Sequence, residues 1–264
     1  MASRADYCPA CGTPVQPVAS GVGTSRWPLI RNGHAAVGAI LIVNVTLFAV
    51  STWMGHPTLT EQGEKLLPSI LGGEWYRLLT AGYLHQGLQF SRRLPAWMPL
   101  LQFLHITLNM MGLWNIGTLV EEIYGTRRMF ALYTGATLVG FLLSAMWVPA
   151  IPSLGASAGV FGLLGALIAY GVVSKAPEAR RLQTVCLLNA GIGFLMGGFF
   201  PMIDNGAHLG GFLGGFAVAW AAGLPRWVDD SREKLWSLIS LTSLLVTLWA
   251  LGQLFYATVR HLPV

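Results

Sequence analysis

Charge is what this sequence has least of. Only 10% of its 264 residues are Asp, Glu, Lys or Arg, against about 25% in a soluble globular domain. A chain this poor in charge and 54% hydrophobic is not built for an ordinary soluble fold. The net charge of +5 is modest, and its basic residues are scattered among apolar segments, so no nucleic-acid patch is expected. No cleavable signal peptide is visible: the first apolar run follows about 35 polar or mixed residues and is long enough to span a bilayer. Glycine, by contrast, is abundant at 32 residues, and in membrane proteins it lets helices pack closely.

A membrane helix needs about 20 mostly apolar residues. Seven segments qualify: Ala36–Met54, Phe103–Val120, Met129–Val148, Ser157–Val173, Leu182–Phe200, Ala207–Leu224 and Trp236–Phe255. With the N-terminus inside, the cytoplasmic segments carry Arg4, Arg26, Arg31, Arg127, Arg128, Lys175, Arg180, Arg181, Arg226, Arg232 and Lys234. The outer segments carry only Lys65, Arg77, Arg92, Arg93 and Arg260. The short loops Ala150–Leu154 and Pro201–Gly206 have no Lys or Arg at all. The positive-inside rule therefore places the N-terminus in the cytoplasm and the C-terminus outside, in an integral multi-pass protein of a bacterial inner or plasma membrane. The long first loop, 55–102, holds Trp75 and Trp97 and the stretch Phe90–Leu101, with Trp53 just before it. Its aromatic and basic residues among leucines suit a loop lying partly in the outer leaflet.

Polar groups inside a bilayer are costly and often functional. His105 and Asn109, four residues apart, share a helix face of the second span. The fourth span opens with Gly155-Ala156-Ser157-Ala158-Gly159 and the sixth with Asn205-Gly206-Ala207-His208. Spans two, four and six run in the same direction, so all four polar residues fall at similar depth near the outer surface. Gly155, Gly159, Gly162 and Gly165 on span four, with Gly211 and Gly215 on span six, permit close helix approach and bring His208 toward Ser157. Each residue also has an ordinary structural reading. A membrane serine often bonds to its own backbone, and His208 or Asn109 could serve as a polar contact between helices. The joint pattern is what points to chemistry.

What is missing narrows that chemistry. The four aspartates, Asp6, Asp204, Asp229 and Asp230, lie outside the spans, which excludes an aspartyl intramembrane protease. No His-Glu-x-x-His occurs, so a zinc protease of that type is unsupported. Gly155-x-Ser157-x-Gly159 matches a nucleophile elbow, but that motif needs a strand–turn–helix context absent from these flanks. Asp204, four residues before His208, is read as a cap on span six. No acidic residue in a span core completes a triad, and none marks an ion path for a transporter. A serine–histidine dyad remains.

These residues closely resemble the rhomboid family of intramembrane serine proteases, over about Ala36 to Leu224. Gly155-Ala156-Ser157-Ala158-Gly159 matches the nucleophile motif. Ala207-His208-Leu209-Gly210-Gly211, with Gly215, matches the general-base motif, and His105-Ile106-Thr107-Leu108-Asn109 the His-xxx-Asn element. Trp75-Tyr76-Arg77 resembles the first-loop Trp-Arg element, and Glu121 the acidic residue at the inner end of span two. The resemblance implies an all-α polytopic fold, with a six-helix core over 36–224 and a linker plus seventh transmembrane helix over 225–264. It implies Ser157 as nucleophile and His208 as base, with an oxyanion hole from the Ser157 N–H and the side chains of His105 and Asn109. Gly155, Gly159, Phe161, Gly211 and Gly215 are the supporting residues. Single-span membrane proteins with small residues near the cut would be the substrates, entering between spans two and five, and catalysis would need no cofactor. Two features depart from the family pattern: an insertion with Arg92 and Trp97 separates His85 from His105, and Phe161 stands where some members have tyrosine. A catalytically inactive relative that binds or moves membrane helices is the alternative, although such relatives lack the dyad.

The segment 1–35 carries Cys8-Pro-Ala-Cys11-Gly12, which looks like half of a zinc ribbon. A structural zinc normally takes four ligands, and the third cysteine, Cys186, lies in span five. A site shared between two copies, a site shared with another protein and a degenerate remnant all fit. A disulfide is not expected in the reducing cytoplasm. The topology has a direct test. A thiol reagent that cannot cross membranes should leave Cys8 and Cys11 unmodified in intact cells, and ready labelling of both would reverse the orientation.

Overall fold

The computed structural model describes residues 34–54, 58–89, 95–174, 177–200, 203–222 and 230–262. Cys8, Cys11, Arg92 and Arg93 fall outside them. The described chain is built of helices: α1 (Ala35–Met54), the short first-loop helices α2 (Thr58–Gly63), α3 (Leu67–Leu71) and α4 (Arg77–Thr80), then α5 (Met98–Tyr124), α6 (Thr126–Trp147), α7 (Ser157–Ser174), α8 (Pro177–Phe199), α9 (Asn205–Ala222) and α10 (Asp230–Arg260). Six of these, α1, α5, α6, α7, α8 and α10, are long and apolar enough to cross a membrane. The seventh long helix, α9, has fewer apolar residues because five of the seven positions in Asn205–Gly211 are glycine, asparagine or histidine, and Gly214 and Gly215 follow. It packs against α6 and α7, with Leu213, Val218 and Trp220 left exposed on its other face.

Several helices start earlier than the apolar runs suggest, α10 at Asp230 rather than Trp236 among them. The second span begins at Met98 rather than Phe103, with proline in its first turn, and the fifth at Pro177 rather than Leu182, with Glu178 in its first turn. Proline is pre-set for the first helical position, and an acidic group there complements the helix dipole. Hydropathy alone does not register either signal.

At the centre stands α7, the most buried of the six apolar helices, flanked by α6, α8 and α9. Glycine makes this packing possible. A Cβ on Gly211 would lie 2.1 Å from the Ala158 carbonyl oxygen, one on Gly215 1.9 Å from that of Gly162, and one on Gly165 2.2 Å from that of Phe212. The backbones of α7 and α9 therefore touch directly. The first span is held by Glu121, whose carboxylate accepts the Ala36 and Val37 N–H groups, each at 3.0 Å. These are donors that the start of α1 leaves without helical partners.

The first loop is a folded unit rather than a connector. Arg77 is buried and donates to Glu74 Oε2 (2.5 Å) and to the carbonyls of Glu61 (2.6 Å) and Glu64 (3.2 Å). One guanidinium thus ties α2 to α4. Trp53, Trp75 and Trp97 remain exposed. On the far side α10 packs against α2, α4 and α6. Its first turns are fastened by the Arg128–Glu233 ion pair, by Arg128 over the buried Trp236 ring, and by Ser240 donating to the Arg127 carbonyl.

The backbone contact sets a prediction. Gly211→Ala should destabilise the protein by about 1–3 kcal/mol or more through overpacking, whereas Gly252→Ala, whose Cβ would meet nothing within 4 Å, should be neutral. Thermal unfolding of the two variants in detergent measures the difference.

Candidate active site

The residues singled out from sequence collect where α5, α7 and α9 approach one another. Ser157 is the first residue of α7 and is half-buried. The first helical hydrogen bond of α7 is donated by Val160 to Ala156. The Ser157, Ala158 and Gly159 N–H groups therefore lie in the turn that a helix leaves without internal acceptors, a ready-made place for developing negative charge.

His208 is buried in the first turn of α9, its N–H donating to the Asp204 carbonyl at 3.0 Å. Two contacts hold it level with Ser157. Gly211, one turn on, meets the backbone of Ala158. Phe161, one turn after Ser157, stacks on the imidazole with centroids 4.0 Å apart and planes 11° from parallel. Phe194 of α8 packs edge-on against this stack, with its centroid 6.4 Å from that of His208 and 5.1 Å from that of Phe161.

Gly155 is where α5 joins. Its φ of +133° is one that side chains rarely adopt, and a Cβ there would lie 2.9 Å from His105 Nε2 and 4.0 Å from Asn109 Nδ2. Both requirements select glycine. The Gly155 N–H donates to the Ala81 carbonyl at 2.8 Å, which fixes the segment before Ser157 to the first loop. Asn109 also donates to the His105 carbonyl at 2.9 Å. At Gly159, a Cβ would sit 2.3 Å from the Tyr133 ring, and Tyr133 in turn donates to the Gly82 carbonyl at 2.8 Å.

Two groups went without a role in the sequence reading, and a third, Asp204, has partners beyond the helix cap read for it. His85, fully buried in the first loop, packs its ring 5.1 Å from that of His105 despite the intervening insertion. Burial, with His105 beside it, holds its pKa well below the ordinary histidine value, so this imidazole is neutral. Lys65, counted from sequence only as an outer positive charge, is fully buried, and no local pattern marks it as such. Asp204 does cap α9, accepting the Ala207 N–H at 2.9 Å. It also accepts the hydroxyls of Ser144 and Ser153. The His208 Nδ1 has no hydrogen-bond partner among the described residues, so Asp204 does not orient the imidazole in the way a triad aspartate does.

Comparison with known proteins agrees with this architecture. A family model, the rhomboid domain, matches residues 95–225. The chain is 34% identical over 237 residues to rhomboid protease GluP of Bacillus subtilis, covering 86% of this chain and 42% of that protein. It is 34% identical over 172 residues to RHOMBOID-like protein 5 of Arabidopsis thaliana, covering 62% of this chain and 49% of the relative. It is 33% identical over 253 residues to Rhomboid protein 1, mitochondrial, of Saccharomyces cerevisiae, covering 77% of this chain and 68% of the relative. The chain thus spans less than half the length of the first two. With the helical membrane architecture and these matches together, the chain belongs to the rhomboid family.

Proposed function

We propose that this protein is an intramembrane serine endopeptidase that cleaves transmembrane segments of other membrane proteins, with Ser157 as nucleophile and His208 as general base. The observation that supports the reading is the glycine-mediated contact of α7 with α9, together with the stacking of His208 on Phe161, one turn after Ser157. A serine hydroxyl is a weak nucleophile until an adjacent base takes its proton. His208 accepts that proton as Ser157 attacks the peptide carbonyl, then returns it to the leaving amine. The oxyanion lies against the Ser157 N–H, with His105 and Asn109 reaching in beside Gly155. Water then attacks the acyl-enzyme with His208 again as base.

Phe161 keeps the stacking without adding a hydroxyl of its own, so it orients the imidazole by its face alone. Substrates are single-span proteins held in the bilayer. They enter between α5 and α8, and α8 buries the smallest share of its length among the six apolar helices. The orientation with the N-terminus in the cytoplasm puts this chemistry near the outer surface, where water is at hand.

Ser157→Ala and His208→Ala should each abolish cleavage of a single-span substrate, with the double variant no worse than either, because the pair acts as a unit. A fluorophosphonate should label the wild type and not Ser157→Ala. Normal cleavage by Ser157→Ala would leave the helix-binding alternative as the better reading. Because the base must be neutral, cleavage should decline on the acid side as His208 takes a proton. Asn109→Ala should lower kcat by more than about tenfold in a folded protein, as loss of one oxyanion donor does. An unchanged kcat would make Asn109 a structural contact.

A further inference from the structure

The buried lysine and the capping aspartate belong to one cluster. Lys65 Nζ donates to the carbonyls of Ile151 (2.7 Å) and Val148 (3.0 Å) and lies 4.0 Å from Asp204 Oδ2. That same Oδ2 accepts the hydroxyls of Ser144, at the end of α6, and Ser153 (2.5 Å), in the α6–α7 loop. Lys65 and Ser153 also exchange both backbone hydrogen bonds, at 2.8 and 3.1 Å. Three separate stretches of chain therefore meet at one charge pair: the first loop, the α6–α7 loop and the start of α9.

Two of those stretches lead directly to the proposed dyad. Ser153 is four residues before Ser157, and Asp204 is four before His208. We propose that Lys65 and Asp204 are positioning residues, a buried ion pair in the first loop and α9 cap that fixes where the start of α7 meets the start of α9 and so aligns Ser157 with His208. The proposal rests on the dyad reading. A buried pair is a poor device for stability alone, since apolar residues of the same volume often do as well, while removal of one partner strands a charge. What an ion pair with fixed hydroxyls adds is register, because only one arrangement satisfies every donor.

The charges facing Lys65 are few. Asp204 approaches from α9 and Glu64 from its own loop, with Arg77 beyond Glu64, and His208 lies one turn on from Asp204. The α6 end and α6–α7 loop present hydroxyls and carbonyls. Burial lowers the Lys65 pKa, against the opposing pull of Asp204 and then Glu64. A lysine so placed holds its proton below that lowered pKa and loses it as pH rises. Alignment is therefore lost on the alkaline side, at lower pH than an ordinary lysine would allow.

The test uses the full-length protein in detergent, a fluorophosphonate to report Ser157 reactivity, a single-span substrate for kcat and KM, and thermal unfolding to report the folded fraction. Asp204→Asn should slow labelling and lower kcat by about ten- to a hundredfold, the range expected for a small misplacement of reacting groups, with KM changed by less than about twofold. The Ser144→Ala, Ser153→Ala double variant keeps both charges of the pair and should show the same kind of loss in a stable protein. Lys65→Arg keeps its charge throughout the alkaline range and should move the alkaline limb of the labelling profile to higher pH. Wild-type labelling rates in folded Asp204→Asn or in the double serine variant would overturn the proposal, as would an alkaline limb that Lys65→Arg leaves in place. A loss accounted for wholly by the unfolded fraction would also overturn it. If a variant does not fold, the double serine variant and the wild-type pH profile decide. Failure of the wild type to react with the probe, or reaction of Ser157→Ala, would sink the dyad reading itself and is distinct from all of these.

Discussion

Everything at this site depends on the direct backbone contact between α7 and α9. Side chains ordinarily keep helix axes 8–10 Å apart, and a serine on one helix then meets a histidine on another only if both reach. Here Gly162, Gly165, Gly211 and Gly215 remove the intervening atoms, so that carbonyls of one helix lie against the α-carbons of the other. In a bilayer, where apolar side chains gain little by leaving lipid for protein, such close packing is a main source of helix association. The same contact that holds the bundle together therefore brings the two polar first turns side by side.

A second constraint acts at the ends of the helices. Ser157 begins α7 and His208 lies in the first turn of α9. Helix ends are where a chain can most easily swing, and the glycine contact by itself fixes only the helix bodies. Fastening comes from the first loop, whose Ala81 carbonyl receives the Gly155 N–H and whose Lys65 backbone pairs with Ser153. Arg77 in turn folds that loop by gathering the carbonyls of Glu61 and Glu64. The first loop is thus a folded platform under the site, and its buried charges are structural in the sense that each satisfies backbone carbonyls that would otherwise lie unpaired.

The spans and the polar cluster were legible in the sequence because each has a one-dimensional signature. A bilayer demands long apolar runs, and a histidine or serine inside one stands out. Equal depth of His105, Asn109, Ser157 and His208 is what alternating span direction alone leads one to expect. The folding of the first loop left no such trace. The helices α2, α3 and α4 are short, and their stability comes from long-range partners rather than from periodicity. Lys65 shows why: in the sequence it is one outer positive charge among several, and its burial depends on carbonyls of Val148 and Ile151 more than eighty residues away. The early starts of α5 and α8 were also hidden from hydropathy, since Pro99 and Pro177 signal a helix start by backbone geometry rather than by polarity.

Asp204 shows how a short sequence distance can mislead and how geometry corrects it. An aspartate four residues before the histidine proposed as base invites a triad, yet its oxygens are turned to the Ala207 N–H and to the Ser144 and Ser153 hydroxyls. Its position at the N-terminus of α9 explains the preference. The end of a helix offers unpaired N–H groups and a positive dipole end to an anion, while a side chain one turn into the helix lies past them. The imidazole is left to be oriented by the face of Phe161. An aromatic face restrains a ring's plane without fixing which nitrogen carries the proton. That freedom suits the role proposed for His208, a base that takes a proton from serine and returns it to a leaving amine within one catalytic cycle.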